Sequence, residues 1–133
     1  MTVLFVCVHN AGRSQMAEAF LRAMAKERGL AVTAASAGTL GGGSINPVVA
    51  EAMREVGVPL DGHYPKALTQ AMADSADLIL SMGCGVDAEA CPAKFLVAED
   101  WGLDDPAGEP IERVREIRDQ IRHRVDGLID RLN

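Results

Sequence analysis

Long apolar runs, a surplus of basic charge and a dense set of cysteines are all missing from this sequence. No apolar stretch approaches the roughly 20 residues that a membrane-crossing helix requires. The net charge is −6, so the broad basic footprint of a nucleic-acid-binding protein is absent. An acidic chain that binds an anion must gather positive potential locally. The N-terminus lacks the charged start and cleavage site of a secretory signal, so a cytoplasmic protein without membrane attachment is expected. Cysteines number only three, an odd count in a chain of cytosolic character. Such cysteines are more often catalytic or metal-binding than structural. There is no internal repeat, low-complexity tract or linker. The 133 residues are 48% apolar and 24% charged, which suits one soluble globular domain spanning residues 1–133. A chain of this size buries about two-thirds of its surface and needs no covalent staples.

What is present reads as alternating strands and helices. Val3-Leu4-Phe5-Val6 is a short apolar run ending at a glycine-containing loop, as a buried strand does. Met16, Ala17, Phe20, Leu21 and Met24 recur at helical spacing, with Glu18, Arg22, Lys26 and Glu27 as the polar face and Gly29 at the end. Residues 30–35 read as a second strand, giving a β-α-β unit and parallel pairing. Asn46-Pro47 is an N-cap followed by proline in the first turn. Val49, Ala52, Met53 and Val56 are the buried stripe of that helix. Residues 69–73 suggest a short helix, 77–81 a third strand, and Phe95-Leu96-Val97 a fourth. From Ile111 to Leu132 apolar residues advance by three or four throughout. Glu112–Arg115 and Asp119–Arg122 are spaced to pair on its wet face. The expected fold is α/β: a single-domain three-layer structure around a central four-stranded parallel sheet.

The loop between the first strand and first helix carries the chemistry. It runs Cys7-Val8-His9-Asn10-Ala11-Gly12-Arg13-Ser14. A strand that feeds a helix through a tight loop converges N–H groups on one point, and the helix N-terminus adds partial positive charge. The planar fork of Arg13 matches two oxygens of a tetrahedral anion. Gly12 is expected to supply the positive φ such a loop often needs. A free thiol is only roughly a few per cent thiolate at neutral pH. The helix N-terminus, Arg13 and a hydroxyl donor from Ser14 favour the charged form of Cys7. The bland alternative is that Cys7 is a small buried hydrophobe at a strand end; the placement between strand and helix argues against it.

Two further signals lie downstream. Cys84 and Cys91 follow the third strand, on the side of a parallel sheet where ligands bind. Their spacing is wider than usual for zinc, and no histidine is nearby; two unrelated cysteines remain the alternative. In Trp101-Gly102-Leu103-Asp104-Asp105-Pro106, an aspartate held by a following proline can serve as a general acid, although such a pair is commonly just a turn. His9 reads as a loop residue, and His63 and His123 as surface residues without chemistry.

Together, residues 7–20 (CVHNAGRSQMAEAF), Ser36-Ala37-Gly38, Cys84 with Cys91, and the stretch WGLDDPAG resemble the thioredoxin-coupled arsenate reductases, which share the fold of low-molecular-weight protein tyrosine phosphatases. The resemblance runs nearly end to end. It implies arsenate as substrate, bound by the loop amides and Arg13, with Cys7 as nucleophile, Ser14 hydrogen-bonding the thiolate and Asn10 holding the loop. It implies Asp105 as the acid that protonates the leaving oxygen, Cys84 and Cys91 as resolving thiols, and thioredoxin as reductant. No cofactor and no resident metal are expected, and a monomer is. Some relatives hold potassium with counterparts of Asn10, Glu18 and Ser36 plus an acidic residue. Here Lys66 stands near that acidic position, so its ammonium is expected to fill the cation's role. A phosphate-monoester hydrolase using Cys7, Arg13 and Asp105, and an arsenate reductase served directly by a low-molecular-weight thiol, remain the alternatives.

Overall fold

Five of the six residues of β1 (Thr2–Cys7) are buried, because both faces of this strand are covered. The computed structural model describes residues 1–82 and 98–132. After β1 come α1 (Arg13–Arg28), β2 (Thr33–Gly38), α2 (Pro47–Glu55), α3 (Gln70–Ser75), β3 (Leu78–Ser81), β4 (Glu99–Asp100) and α4 (Ile111–Leu132). The sheet order is β2-β1-β3-β4 and every pairing is parallel. Alternate side chains of β1 enter two cores. Val3, Phe5 and Cys7 join the larger core with α1, α2 and α4. Leu4 and Val6 join the smaller one with Leu68 and Ala73. The three-layer α/β architecture expected from the sequence is the one observed. Among the described residues, no helix is long and apolar enough to cross a membrane.

The helices start and stop where their end residues dictate. The Asn46 side chain accepts from Val48 N at 3.0 Å, with Pro47 in the first turn of α2. Gly29 takes the left-handed conformation (φ 66) that ends α1, and Leu30 N then bonds back to Ala25 O at 2.9 Å. That bond makes Leu30 part of the helix terminus. For this reason β2 begins at Thr33, three residues after the start the sequence suggested. In α4, Val114, Ile117, Ile121, Val125 and Leu128 are buried; truncating one isoleucine to alanine would cost roughly 2–5 kcal/mol. Its expected surface pairs are replaced. Arg115 binds Glu55 on α2 through both carboxylate oxygens, and Arg118 binds Glu55 and Asp119. A carboxylate on the neighbouring helix outcompetes partners one turn away. The expected strand Phe95-Leu96-Val97 lies outside the described residues.

Candidate active site

The loop closing β1 is a nest of inward N–H groups, and the reason lies in where its carbonyls go. The Cys7 carbonyl accepts from Thr39 N (3.0 Å), Val8 from Leu40 N (2.7 Å), Ala11 from Asn46 N (3.0 Å) and Gly12 from Met16 N (3.0 Å). The Asn10 carbonyl accepts from Gln15 Nε2 at 3.1 Å. In a trans peptide the C=O and the following N–H point in opposite directions, and no cis peptide occurs among the described residues. With five carbonyls held outward, the N–H groups of Val8, His9, Ala11, Gly12 and Arg13 turn toward the space the loop encloses. The positive φ expected at Gly12 falls instead on Asn10 (φ 57); asparagine tolerates that conformation. Gly12 has φ −146, and its value is space, since a Cβ there would sit 3.0 Å from Pro106 Cγ. Gly38 is required for close approach: a Cβ would lie 2.4 Å from the Val8 carbonyl oxygen.

Asn10 organises the hydrogen bonds around Cys7. Lys66 N, which can only donate, lies 2.8 Å from Asn10 Oδ1. The Asn10 amide therefore presents Nδ2 to Ser14 Oγ, at 2.7 Å. Ser14 Oγ, accepting there, lies 2.8 Å from Cys7 Sγ and can give its proton to the sulfur. Asn10 N adds a second donor to the sulfur at 3.2 Å. Two groups able to donate thus face the buried sulfur.

Arg13 is 6% exposed. Its Nη1 donates to Met82 O (3.1 Å) and Leu103 O (2.7 Å). That leaves Nε and Nη2 as the edge able to grip an anion in bidentate fashion. Asp105 reaches the same place from the loop after β4. Trp101 anchors that loop by packing on Phe5, with ring centroids 5.6 Å apart. Asp105 Oδ1 accepts from Ala107 N at 2.9 Å, and Oδ2 lies 3.9 Å from Arg13 Nη2. Asp104 is turned away and pairs with Arg113.

These groups enclose a cavity of about 130 Å³ lined by Cys7, His9, Asn10, Ala11, Gly12, Arg13, Ser44, Asn46, Asp105, Pro106 and Ala107. Pockets for drug-sized ligands run to roughly 300–1,000 Å³, so this one suits a small ion. A larger surface depression of about 460 Å³ between α1 and α4 has no cysteine among its described lining residues, and its Arg28 is engaged by Asp126 and Asp130. Cys84 and Cys91 lie outside the described residues. Sequence reasoning missed Ser44, the pocket role of Asn46, and the support given by Gln15 and His63. Asn46 carried a signal, but a signal for helix capping.

Beneath the loop lies Glu18, 3% exposed and not on the polar face where helical spacing put it. Ser36 Oγ donates to it at 3.0 Å; His63 Nδ1, Arg22 Nη2 and Lys66 Nζ approach within 3.2, 3.4 and 3.9 Å. His63 is therefore no surface residue. Gln15 turns Nε2 to the carbonyls of Asn10 and Tyr64, so its Oε1 faces His63 Nδ1 at 3.0 Å, and Nδ1 carries the proton. Burial pushes the His63 imidazole below its ordinary range, against an opposing pull from Glu18. This donor set does not fit a potassium ion. Asn10 Oδ1 already accepts from Lys66 N and Gln15 Nε2, and basic groups surround the carboxylate.

A cysteine in a loop of inward N–H groups, an arginine closing that loop and an aspartate at its mouth define a phosphatase-type oxyanion enzyme fold. Residues 2–133 match the low molecular weight phosphotyrosine protein phosphatase family, and the chain belongs to it. A protein of Halobacterium salinarum, provisionally named an arsenate reductase, is 40% identical over 97% of this chain and 91% of its own length. A glutaredoxin arsenate reductase of Synechocystis sp. is 35% identical over 98% of both chains. Among solved structures, an arsenate reductase in a phosphate-binding state has a TM-score of 0.82 at 33% identity, covering 99% of this chain and 98% of that one. A mutant of Bacillus subtilis YwlE has a TM-score of 0.86 at 29% identity, covering 99% and 98%; a cysteine-to-serine mutant of the YwlE arginine phosphatase is also solved with that active-site serine phosphorylated.

Proposed function

We propose that the protein reduces arsenate to arsenite by a thiol relay, as a cytoplasmic monomer whose single domain spans residues 1–133. The observation that carries this reading is the small polar cavity built on Cys7. About 130 Å³, with no phenylalanine, tyrosine or tryptophan among its described lining residues, suits a bare tetrahedral oxyanion better than an aryl phosphate. The loop N–H groups and Arg13 hold the ion. The Cys7 thiolate attacks arsenic while Asp105 gives a proton to one oxygen, which leaves as water. Cys84 then attacks the Cys7 sulfur. A Cys7–Cys84 disulfide forms, the S–As bond breaks, and its electron pair stays on arsenic, which departs as arsenite. Cys91 exchanges with Cys84, freeing Cys7 and leaving a Cys84–Cys91 disulfide for an external dithiol. Two thiols thus supply the two electrons.

Sequence resemblance favours thioredoxin as that dithiol. The Synechocystis relative, by its name a glutaredoxin arsenate reductase, favours a glutaredoxin and glutathione system as the second reading. Arsenate-dependent turnover with each reductant, in parallel, separates them. Cys91→Ser should stop after one turnover with thioredoxin, trapped as a Cys7–Cys84 disulfide. Continued turnover in that variant would exclude the relay. Hydrolysis of phosphate monoesters without arsenate reduction by either reductant would assign the site to a phosphatase.

A further inference from the structure

In the sequence Asn46 is a helix cap; in the structure it is also part of the anion site. It lies in the wall of the cavity that holds Cys7, Arg13 and Asp105. Its backbone N–H is bonded to Ala11 O at 3.0 Å, so its position is tied to the anion loop itself. Its Oδ1 accepts from Val48 N at 3.0 Å. Because a backbone N–H only donates, this bond fixes the amide's orientation: oxygen toward α2, Nδ2 away from it. Among the described residues Nδ2 has no hydrogen-bond partner. Here the helix cap and the anion site make opposite demands on one side chain. The helix needs an acceptor, and the anion needs a donor without negative charge. Aspartate caps a helix as well as asparagine does, but would set a second carboxylate beside Asp105. Asparagine alone among the good caps gives a carbonyl to the helix and keeps an NH₂ free to donate.

We propose that Asn46 is an oxyanion-binding residue whose Nδ2 donates to an oxygen of the tetrahedral ion left outside the loop's N–H groups. The ligand class it selects is a free tetrahedral oxyanion, whose outer oxygen carries lone pairs and no substituent. The inference deepens the arsenate reading above and rests on it. Asn46 thereby holds the ion at its outer end while Arg13 and the loop hold its inner oxygens, which keeps arsenic or phosphorus in line with the Cys7 sulfur.

The test is protection of Cys7 from iodoacetamide by inorganic phosphate and by arsenate, in a Cys84→Ser, Cys91→Ser background, with melting temperatures recorded in the absence of either ion. Asn46→Ser keeps a capping oxygen and loses the NH₂; it should melt near the parent and bind phosphate about tenfold more weakly. Asn46→Asp should also melt near the parent and bind phosphate more weakly still. If Asn46→Ser and Asn46→Asp bind phosphate as tightly as the parent, Asn46 is a cap only, and the proposal is overturned while the oxyanion site stands. If neither ion protects Cys7 in the parent, the oxyanion reading fails and the proposal fails with it.

Discussion

Asp105 Oδ2 and Arg13 Nη2 face each other at 3.9 Å, one side chain 57% exposed and the other 7%. The separation is longer than a charge-assisted hydrogen bond, and an exposed partner makes such a pair weak. The two groups are therefore poised around the site without being locked together.

Asp105→Asn should slow the first chemical step by about 10²–10⁴-fold, the usual worth of a positioned general acid, and leave exchange between Cys84 and Cys91 intact. Asp104→Asn should change that rate little, because Asp104 is paired with Arg113 outside the cavity. Rapid-quench measurement of the first turnover distinguishes them; a larger effect at Asp104 would transfer the role.

Ser14→Ala removes the hydroxyl that lies 2.8 Å from Cys7 Sγ. A hydrogen bond to a charged group corresponds to roughly ten- to a hundredfold in an equilibrium constant. The rate of Cys7 alkylation at neutral pH should fall accordingly, with the melting temperature changed far less than by a core truncation. An unchanged rate would remove Ser14 from the account of Cys7 reactivity.

His63 predicts a pH dependence of stability. Burial holds its proton affinity below the ordinary value, so the unfolded chain takes up the proton first as pH falls. The neutral folded form keeps its full stability above about pH 6.5 and loses some below, down to the folded group's own midpoint. Melting temperature against pH should therefore decline on the acid side, and His63→Gln should flatten that decline. The same slope in both proteins would remove His63 from the account.

Potassium should leave melting temperature and turnover unchanged relative to tetramethylammonium at equal ionic strength. Glu18 already faces Lys66, Arg22 and His63, and both lone pairs of Asn10 Oδ1 are engaged. A saturable, potassium-specific stabilisation would refute this.

Local features of the fold were legible because their causes are local. The apolar run of β1, the loop from Cys7 to Arg13, the Asn46-Pro47 start of α2 and the stripe of α4 depend on residues a few positions apart. Where distant partners compete, spacing misled. Glu18 falls on the polar side of α1 by periodicity, yet Ser36, His63 and Lys66 bury it. Leu30 reads as strand until the terminus of α1 claims its N–H.

The sequence by itself determined the loop from Cys7 to Arg13 and its place between a strand and a helix, since a nest of N–H groups needs only that short segment in that order. Tertiary structure decided what the loop's atoms do. The Asn10 amide donates to Ser14 because a backbone N–H at Lys66, 56 residues beyond Asn10, takes its oxygen. Asn46 enters the cavity because its N–H reaches the Ala11 carbonyl. Hydrogen-bond direction is set by which donor arrives from across the fold, and spacing along the chain carries no record of it.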